Sequence, residues 1–227
     1  ALWSILIWGT TFVVTKVLLD KFTPAEILFT RFSAAWVLLM ILDHSRVKTK
    51  SFKEELMFAS AGLFGVVVYF LFENTALTYI TASAVGILVS VSPFFTALIS
   101  RIFLGERTKK YFFAGFVLAM AGITLVTLNG GVEGALDFKG LILACGAALS
   151  WAIYSTITKK ISSWGIKAVP MTRHIFFYAI IICIPVLYFM GFDVKLNELY
   201  NSKVLLSFAF LGFLGSGICY VTWNSAL

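Results

Sequence analysis

FASAGLFG, at residues 58–65, returns as FAFLGFLG at residues 208–215, 150 positions later. The same offset aligns NTAL at residues 74–77 with NSAL at residues 224–227, so seven of twenty positions are identical across this window. A second offset, of 143, aligns three earlier residues with three later ones: Trp8, Thr15 and Lys16 with Trp151, Thr158 and Lys159. Phe, Ala and Leu recur by chance in apolar sequence, so the matched Gly, Asn, Trp and Lys residues carry the argument. We infer that the chain contains an internal repeat.

The composition indicates a protein embedded in lipid. The chain is 60% hydrophobic and only 13% charged, whereas soluble domains carry about 25% charged residues. A soluble fold could not cover this many apolar side chains with its own surface. The net charge of +7 comes from short clusters of Lys and Arg between apolar runs. Such clusters are typical of membrane loops, whereas a protein that binds nucleic acid gathers its charge on one face. We therefore expect a lipid bilayer as partner and no nucleic acid.

The apolar runs are long enough to span a membrane, which takes about 20 mostly apolar residues in a helix. Eight stretches qualify: Leu2–Leu19, Ala25–Leu42, Leu56–Leu77, Ala82–Phe103, Tyr111–Leu128, Leu141–Thr158, Thr172–Met190 and Val204–Ala226. They are contiguous and lack the alternation of barrel strands, so the predicted fold class is an all-α polytopic membrane protein. The first stretch follows no basic segment and precedes no cleavage site of small residues. It therefore reads as a spanning helix and not as a signal peptide.

The repeat predicts how these spans are arranged. If the first span matches the sixth and the third matches the eighth, each copy holds five spans. An odd number forces the second copy to cross the bilayer in the opposite direction, as in the inverted repeats of many secondary transporters. We therefore predict a first repeat of five helices at residues 1–130 and a second repeat of three at residues 138–227. On this interpretation the chain is truncated and has eight of ten transmembrane helices.

The positive charges predict an orientation, because cytoplasmic loops are enriched in Lys and Arg. With the N-terminus in the cytoplasm, alternate loops place twelve Lys and Arg residues on the cytoplasmic side and five on the outer side. Arg31 lies within the second span. The opposite orientation would reverse this bias, so we predict a cytoplasmic N-terminus.

A carrier needs a polar patch near the middle of the bilayer, on helix faces directed at neighbouring helices. Five spans offer polar or aromatic side chains at helical spacing: Trp8, Thr11, Tyr69, Ser90, Trp151, Tyr154, Ser155, Tyr220, Trp223 and Asn224. We interpret these residues as candidates for a substrate cavity. Two other interpretations stay open. Trp and Tyr often anchor helices at the membrane interface, and Ser and Thr often serve helix packing.

Ionisable residues inside the spans are a sharper signal, because each is costly without a partner. Glu73 and Arg31 are the clearest, and Lys16 lies at a similar depth. We hypothesise that Glu73 pairs with Arg31 or Lys16 in the outer half of the bilayer, as a charged gate. The alternative is an interfacial carboxylate that reaches headgroup water. Pro93 removes a backbone hydrogen bond and predicts a kink in the fourth span, in a helix that moves or in a static one.

Other function classes find less support. Cys145, Cys183 and Cys219 lie inside apolar runs and are interpreted as small hydrophobic side chains, so we predict no disulfide, metal site or cofactor. The sequence has no His-Glu-x-x-His motif, no pair of aspartates within the spans and no phosphate-binding loop, which argues against an enzyme. Rings of like charge, typical of channels, are not visible. A non-transporting accessory or structural subunit stays open, because a packed bundle with few polar residues would look similar.

Several motifs occur in a fixed order: WGT at residues 8–10, NTALTY at residues 74–79, Pro93, LGER at residues 104–107 and ALSWA at residues 148–152. Their order and spacing resemble the EamA-type, ten-helix branch of the drug/metabolite transporter superfamily, over essentially the whole chain. Two features depart from the pattern. The chain holds no second copy of the Pro93 helix, and Glu73 aligns with Trp223 between the repeats.

The resemblance implies an alternating-access secondary transporter in the cytoplasmic membrane of a bacterium or archaeon. Members export amino acids, metabolites or drugs, and a proton or another cation is the expected coupling ion. We expect a small-molecule substrate, with amino acids or related compounds first and nucleotide-sugar or lipid-linked substrates as the alternative. The scarcity of Lys and Arg deep in the spans argues weakly against polyphosphorylated substrates.

Overall fold

The computed structural model describes residues 2–105, 110–129, 137–193 and 196–226, and every regular element in these ranges is a helix. Eight helices follow the eight predicted spans: α1 (Leu2–Leu19), α2 (Pro24–Leu42), α3 (Phe52–Tyr79), α4 (Ala82–Phe103), α5 (Lys110–Asn129), α6 (Phe138–Ser162), α7 (Ala168–Met190) and α8 (Ser202–Asn224). Within the described residues, α1–α4 and α6–α8 are long and apolar enough to cross a membrane. A single turn, Leu196–Leu199, precedes α8. The chain is therefore a multi-pass membrane protein. Glu106 and Arg107 of the LGER motif lie outside the described residues.

Local sequence sets where the helices begin. At the start of α2, Glu26 N–H donates to the Thr23 hydroxyl at 3.3 Å, and Thr23 N–H donates to the Glu26 carboxylate at 2.8 Å. This capping box satisfies backbone groups that the first helical turn leaves free. α3 begins at Phe52, earlier than the predicted Leu56, because Ser51 caps a polar first turn that extends beyond the apolar run.

α4 is interrupted near its middle. Its first half, Ala82–Val89, ends in a turn at Ser90 and Val91, and its second half, Ser92–Phe103, begins there. Pro93 lies in the first turn of the second half, where its missing N–H removes no helical hydrogen bond. The irregularity predicted for this span is thus a break immediately before the proline, not a bend within a continuous helix.

Contacts at the helix ends show the direction of each helix. Near the end of α1, Lys16 Nζ donates to the carbonyls of Leu77 and Ile80 at the end of α3, at 3.1 and 2.9 Å. α1 and α3 are therefore parallel. At that same end, a Cβ atom on Gly140, in the first turn of α6, would stand 2.9 Å from Tyr79 Cβ. α6 therefore runs opposite to α1 and α3.

The remaining core helices follow the same rule. Asn74, near the end of α3, donates to the carbonyl of Pro24 at the start of α2 at 3.1 Å, so α2 runs opposite to α3. His174, near the start of α7, lies 3.0 Å from Glu55 near the start of α3, so α7 runs opposite to α2. Ser4, early in α1, shares a hydrogen bond of 2.6 Å with Thr222 at the end of α8. Helices α6, α7 and α8 thus run opposite to α1, α2 and α3, as an inverted repeat requires.

Packing is symmetric under the same exchange of helices. α1 packs against α8 as α6 packs against α3, and α2 packs against α8 as α7 packs against α3. α2 and α7 meet each other between these pairs. Each half therefore completes its core with helices of the other half.

The repeated glycine-rich stretches coincide with wide π-helical segments, Leu63–Val68 in α3 and Phe210–Ile218 in α8. Such segments are rare and leave some backbone carbonyls outside the regular helical ladder. Gly65 allows a close approach here, because a Cβ atom at this position would stand 2.0 Å from the Tyr154 ring. On α8, a Cβ atom on Gly212 would stand 2.9 Å from Ala34 Cβ. These glycines let α3 pack on α6 and α8 pack on α2.

Candidate functional site

A cavity of about 470 Å³ lies between α1, α3, α4, α6 and α8, so helices of both halves enclose it. Small-molecule sites typically measure about 300–1,000 Å³. Seven of the ten predicted cavity residues line it: Trp8, Thr11, Tyr69, Ser90, Trp151, Tyr220 and Trp223. Glu73 and Pro93 line it as well. The sequence patterns on five separate helices thus converge on one space.

Aromatic rings form one wall of this cavity. The Trp8 ring centroid lies 5.1 Å from that of Trp151, 5.8 Å from that of Tyr220 and 5.5 Å from that of Trp223. Tyr69 joins the cluster through Trp151 at 5.2 Å. Most of these rings meet edge to face or tilted, the arrangements in which aromatic quadrupoles attract. Anchoring at the membrane interface is excluded for Trp151 and Tyr220, which are 8% and 0% exposed.

The carbonyls of the π-helical segments hold this wall in place. Trp8 Nε1–H donates to the carbonyl of Gly215 at 2.8 Å, and the Tyr220 hydroxyl donates to the carbonyl of Gly65 at 2.7 Å. The Ser150 hydroxyl donates to the carbonyl of Phe64 at 2.7 Å. Each π-helical segment therefore receives a donor from another helix. Ser150 belongs to the ALSWA motif, but it was not predicted as a site residue, because nothing in its spacing separates it from other packing serines.

Three predicted cavity residues, Tyr154, Ser155 and Asn224, do not line the cavity. The Tyr154 hydroxyl donates to Asn224 Oδ1 at 2.9 Å, and Asn224 Nδ2 donates to the Thr172 hydroxyl at 2.9 Å. This buried chain joins α6, α8 and α7 behind the aromatic wall. Ser155 is 4% exposed. The prediction failed for α6 because Trp151, about one turn earlier, occupies the position that faces the cavity.

The predicted ion pair of Glu73 is not formed: among the described residues, neither Arg31 nor Lys16 makes a salt bridge to it. Arg31 Nε–H donates to the Ser216 hydroxyl at 2.9 Å, and the guanidinium carbon lies 4.3 Å from the Phe70 ring centroid. Lys16 donates hydrogen bonds to the carbonyls at the end of α3, where the helix dipole attracts a cation. The predicted spans placed the three residues at a similar depth, but depth does not fix the direction of their side chains around the helix axes.

Glu73 instead faces the cavity. Its side chain is only 2% exposed, so the alternative of an interfacial carboxylate that reaches headgroup water is also wrong. Its Oε1 atom has no hydrogen-bond partner, and neither has Trp223 Nε1, which belongs to the same cavity lining. The cavity therefore offers one free carboxylate oxygen and one free indole N–H. No Lys or Arg is found among the described residues that line it.

Apolar residues that were not predicted as site residues complete the lining. Phe12 of α1 and Phe70 of α3 lie on the cavity, as does Val89 of α4. The chain has 23 Phe residues, so a single Phe in a span carries no signal. Gly86, also on α4, leaves room in the lining, because a Cβ atom there would stand 3.8 Å from its nearest neighbour, Phe12.

Comparison with known proteins points to membrane transport. The model of the EamA-like transporter family matches residues 1–128 and 138–227 of this chain. A solved crystal structure has a TM-score of 0.74 and 18% identity, covering 98% of this chain and 76% of the other. At that identity the similarity concerns the fold alone.

Three curated relatives align over nearly the whole chain. An uncharacterized transporter of Archaeoglobus fulgidus is 28% identical over 99% of this chain and 77% of its own length. A probable terminal-alkyne amino-acid exporter of Streptantibioticus cattleyicolor is 25% identical over 100% of this chain and 76% of its own. A probable amino-acid metabolite efflux pump of Escherichia coli K12 is 26% identical, with the same two coverages of 100% and 76%.

Proposed function

The chain belongs to the EamA-like transporter family, and we propose that it exports small metabolites, amino acids or related compounds, by alternating access across a cytoplasmic membrane. One observation carries the proposal: the aromatic and acidic cavity lies between helices of two halves that run in opposite directions. A site at such an interface opens to either side when one half rocks against the other. The break in α4 borders the cavity and supplies a place where a helix can bend.

The substrate class rests on relatives and on the cavity lining. The relatives from Streptantibioticus cattleyicolor and Escherichia coli carry names that refer to amino-acid export and amino-acid metabolite efflux. The aromatic wall suits substrates with an apolar part. Nucleotide sugars are disfavoured, because phosphates need cationic partners and no Lys or Arg is found among the described lining residues.

Orientation, direction of transport and coupling belong to the same proposal. The excess of Lys and Arg in alternate loops supports a cytoplasmic N-terminus. Export by a secondary transporter needs an ion gradient or the gradient of the substrate itself, and we propose a proton or another cation as the coupling ion. The two repeats, at residues 1–130 and 138–227, would be the units that move against each other.

Counterflow in proteoliposomes tests the proposal. The full-length gene product is reconstituted, and exchange of a labelled pool of amino acids is measured with and without an excess of unlabelled pool inside. Transport predicts saturable exchange that unlabelled competitor suppresses. A folded protein that gives no exchange above empty liposomes would instead support a non-transporting accessory subunit.

Two glycine variants make the test specific for the cavity. Gly86→Trp places a large ring in the cavity lining and should abolish exchange. Gly115→Trp is the matched control, because a Cβ atom on Gly115 of α5 has no neighbour within 4 Å. It should leave exchange intact. Equal loss in both variants would contradict a transport path through this cavity.

A further inference from the structure

The Glu73 carboxylate is the feature of the cavity that its aromatic wall does not explain. A buried carboxylate is costly unless a cation or hydrogen-bond donors satisfy it. Oε1 of Glu73 has no such partner, although the residue is 2% exposed. It is thus an unsatisfied acceptor at the boundary of a space large enough for a metabolite.

The nearby cations of the protein do not fill this role. Arg31 attracts Glu73 electrostatically, but the two form no salt bridge: the Arg31 Nε–H bonds Ser216, and the guanidinium, whose terminal nitrogens have no hydrogen-bond partner, lies over the Phe70 ring. Lys16 is bound to the carbonyls of Leu77 and Ile80. Oε1 is therefore available to a partner in the cavity that Glu73 lines.

The aromatic wall narrows the chemistry of that partner. Trp8, Trp151 and Trp223 have ring centroids within 5.9 Å of one another, and all three line the cavity with Tyr220. A cation within about 6 Å of a ring centroid is attracted by the ring quadrupole, most strongly by Trp. Desolvated aromatic rings together with a carboxylate form a site for an ammonium group. An anion would find no basic residue among the described lining residues.

We propose that this cavity recognises its substrates by their ammonium group, with Glu73 as the ion-pair partner and Trp8, Trp151 and Trp223 as the aromatic cage. The inference rests on the proposed function, because it assigns the substrate class of the same cavity. The apolar part of the substrate packs on Phe12 and Phe70. Organic amines fit this description, and so do amino acids whose carboxylate accepts from the free Trp223 Nε1–H. Neutral compounds and anions without an ammonium group do not.

Tryptophan fluorescence of the full-length gene product in detergent tests the proposal directly, because three of the six Trp residues line the cavity. The protein is titrated with 2-phenylethylamine, 2-phenylethanol and 3-phenylpropionate, which share a ring and differ in the charge of the head group. The amine should bind about tenfold or more tightly than the alcohol and the acid. Equal affinity for the amine and the alcohol would overturn the proposal without any mutant.

Variants then assign the preference to Glu73. Glu73→Gln removes the charge at nearly constant shape and should weaken amine binding about tenfold or more while leaving the alcohol unaffected. Glu55→Gln changes a carboxylate of the same helix outside the described cavity lining and should preserve the preference. Equal loss of amine and alcohol binding in a folded Glu73→Gln protein would contradict the ion pair.

The counterflow and binding experiments together distinguish a failure of this inference from a failure of the proposed function. If labelled amino acids exchange in liposomes but the amine neither binds nor competes, the result supports transport and contradicts ammonium recognition. If nothing exchanges while the amine binds with the expected preference, the cavity is a binding site in a protein that does not transport.

Discussion

Two glutamates of α3, Glu55 and Glu73, differ in how many hydrogen-bond partners the bundle provides for them. Near the start of the helix, Glu55 Oε1 accepts from the Thr49 hydroxyl, and Oε2 accepts from the Tyr178 hydroxyl and lies 3.0 Å from His174 Nε2. Near the end of the helix, Glu73 faces the cavity with Oε1 unpartnered. The less buried carboxylate thus has partners for both oxygens, whereas Oε1 of the fully buried one has none and Tyr69 is the hydrogen-bonding neighbour of its side chain.

The surroundings of the two residues repeat this contrast. Beside Glu55, both terminal nitrogens of Arg173 donate to the carbonyls of Asp43 and Ser45, which fixes the connection between α2 and α3. Beside Glu73, both terminal nitrogens of Arg31 lack hydrogen-bond partners. Buried polar groups are nearly always satisfied in folded proteins, and exceptions often mark functional sites. The Glu55 region thus has satisfied contacts between helices, and the Glu73 region is the proposed substrate site.

Among the variants that compare the two glutamates, Glu73→Gln should have the largest effect on transport. Loss of a charge-assisted contact is worth about 1.5–3 kcal/mol, which corresponds to a tenfold to hundredfold slower exchange of labelled amino acids. Membrane insertion and the midpoint of thermal unfolding should stay near wild type, because Oε1 makes no internal hydrogen bond and the amide of Gln can still bond Tyr69. Counterflow and thermal unfolding in detergent measure the two effects separately. Wild-type exchange in this variant would show that the free carboxylate has no role in transport.

Glu55→Gln should lower the stability of the protein and leave transport unchanged. The amide presents N–H donors to groups that are themselves donors, Tyr178 and Thr49, and should lower the free energy of unfolding by about 1–2 kcal/mol. Exchange per folded protein should stay at the wild-type level. Thermal unfolding together with counterflow checks this result, and a specific loss of transport at wild-type stability would remove the distinction between the two glutamates.

Tyr154→Phe tests the hydrogen-bonded chain behind the aromatic wall. The variant deletes the bond to Asn224 and should destabilise the protein by about 1 kcal/mol. Preference for 2-phenylethylamine over 2-phenylethanol should be unchanged, because Tyr154 does not line the cavity. A changed preference in the fluorescence titration would place this hydroxyl in the substrate site after all.

The smallest effect is expected at a third glutamate. Glu198 pairs with Lys21 outside the spanning helices, and the two side chains are 37% and 39% exposed. Exposed pairs of this kind contribute about 0–1 kcal/mol. Glu198→Gln should therefore change neither the unfolding midpoint nor the exchange rate by more than the error of the measurement. A larger loss would show that the position of the turn before α8 matters to function.

The spans and their directions followed from sequence because lipid imposes simple requirements. Long apolar runs fixed seven helices to within a few residues, and the matched Gly and Asn residues predicted the inversion that the contacts of Lys16, Gly140 and Asn74 display. The π-helical segments were not predicted, because they depend on close packing between distant helices and not on local propensity.

Part of the cavity lining followed from sequence. Helical spacing singled out Trp8, Trp151 and Tyr220 as cavity candidates, and the structure brings their rings together on one cavity. Polar and aromatic residues are rare enough in these spans to form a pattern. The predicted ion pair of Glu73 was wrong, because a sequence indicates how deep a residue lies along a helix but not the direction of its side chain around the helix axis. Phe12 and Phe70 could not be identified, since Phe is common throughout the chain.

The most direct test of the account is counterflow of the labelled amino-acid pool by wild type, Glu73→Gln and Glu55→Gln in matched proteoliposomes, corrected for folded protein. The account predicts exchange in wild type and Glu55→Gln, suppressed by 2-phenylethylamine, and little exchange in Glu73→Gln. Exchange that survives in Glu73→Gln and is insensitive to the amine would contradict the assignment of this cavity as an ammonium-binding transport site.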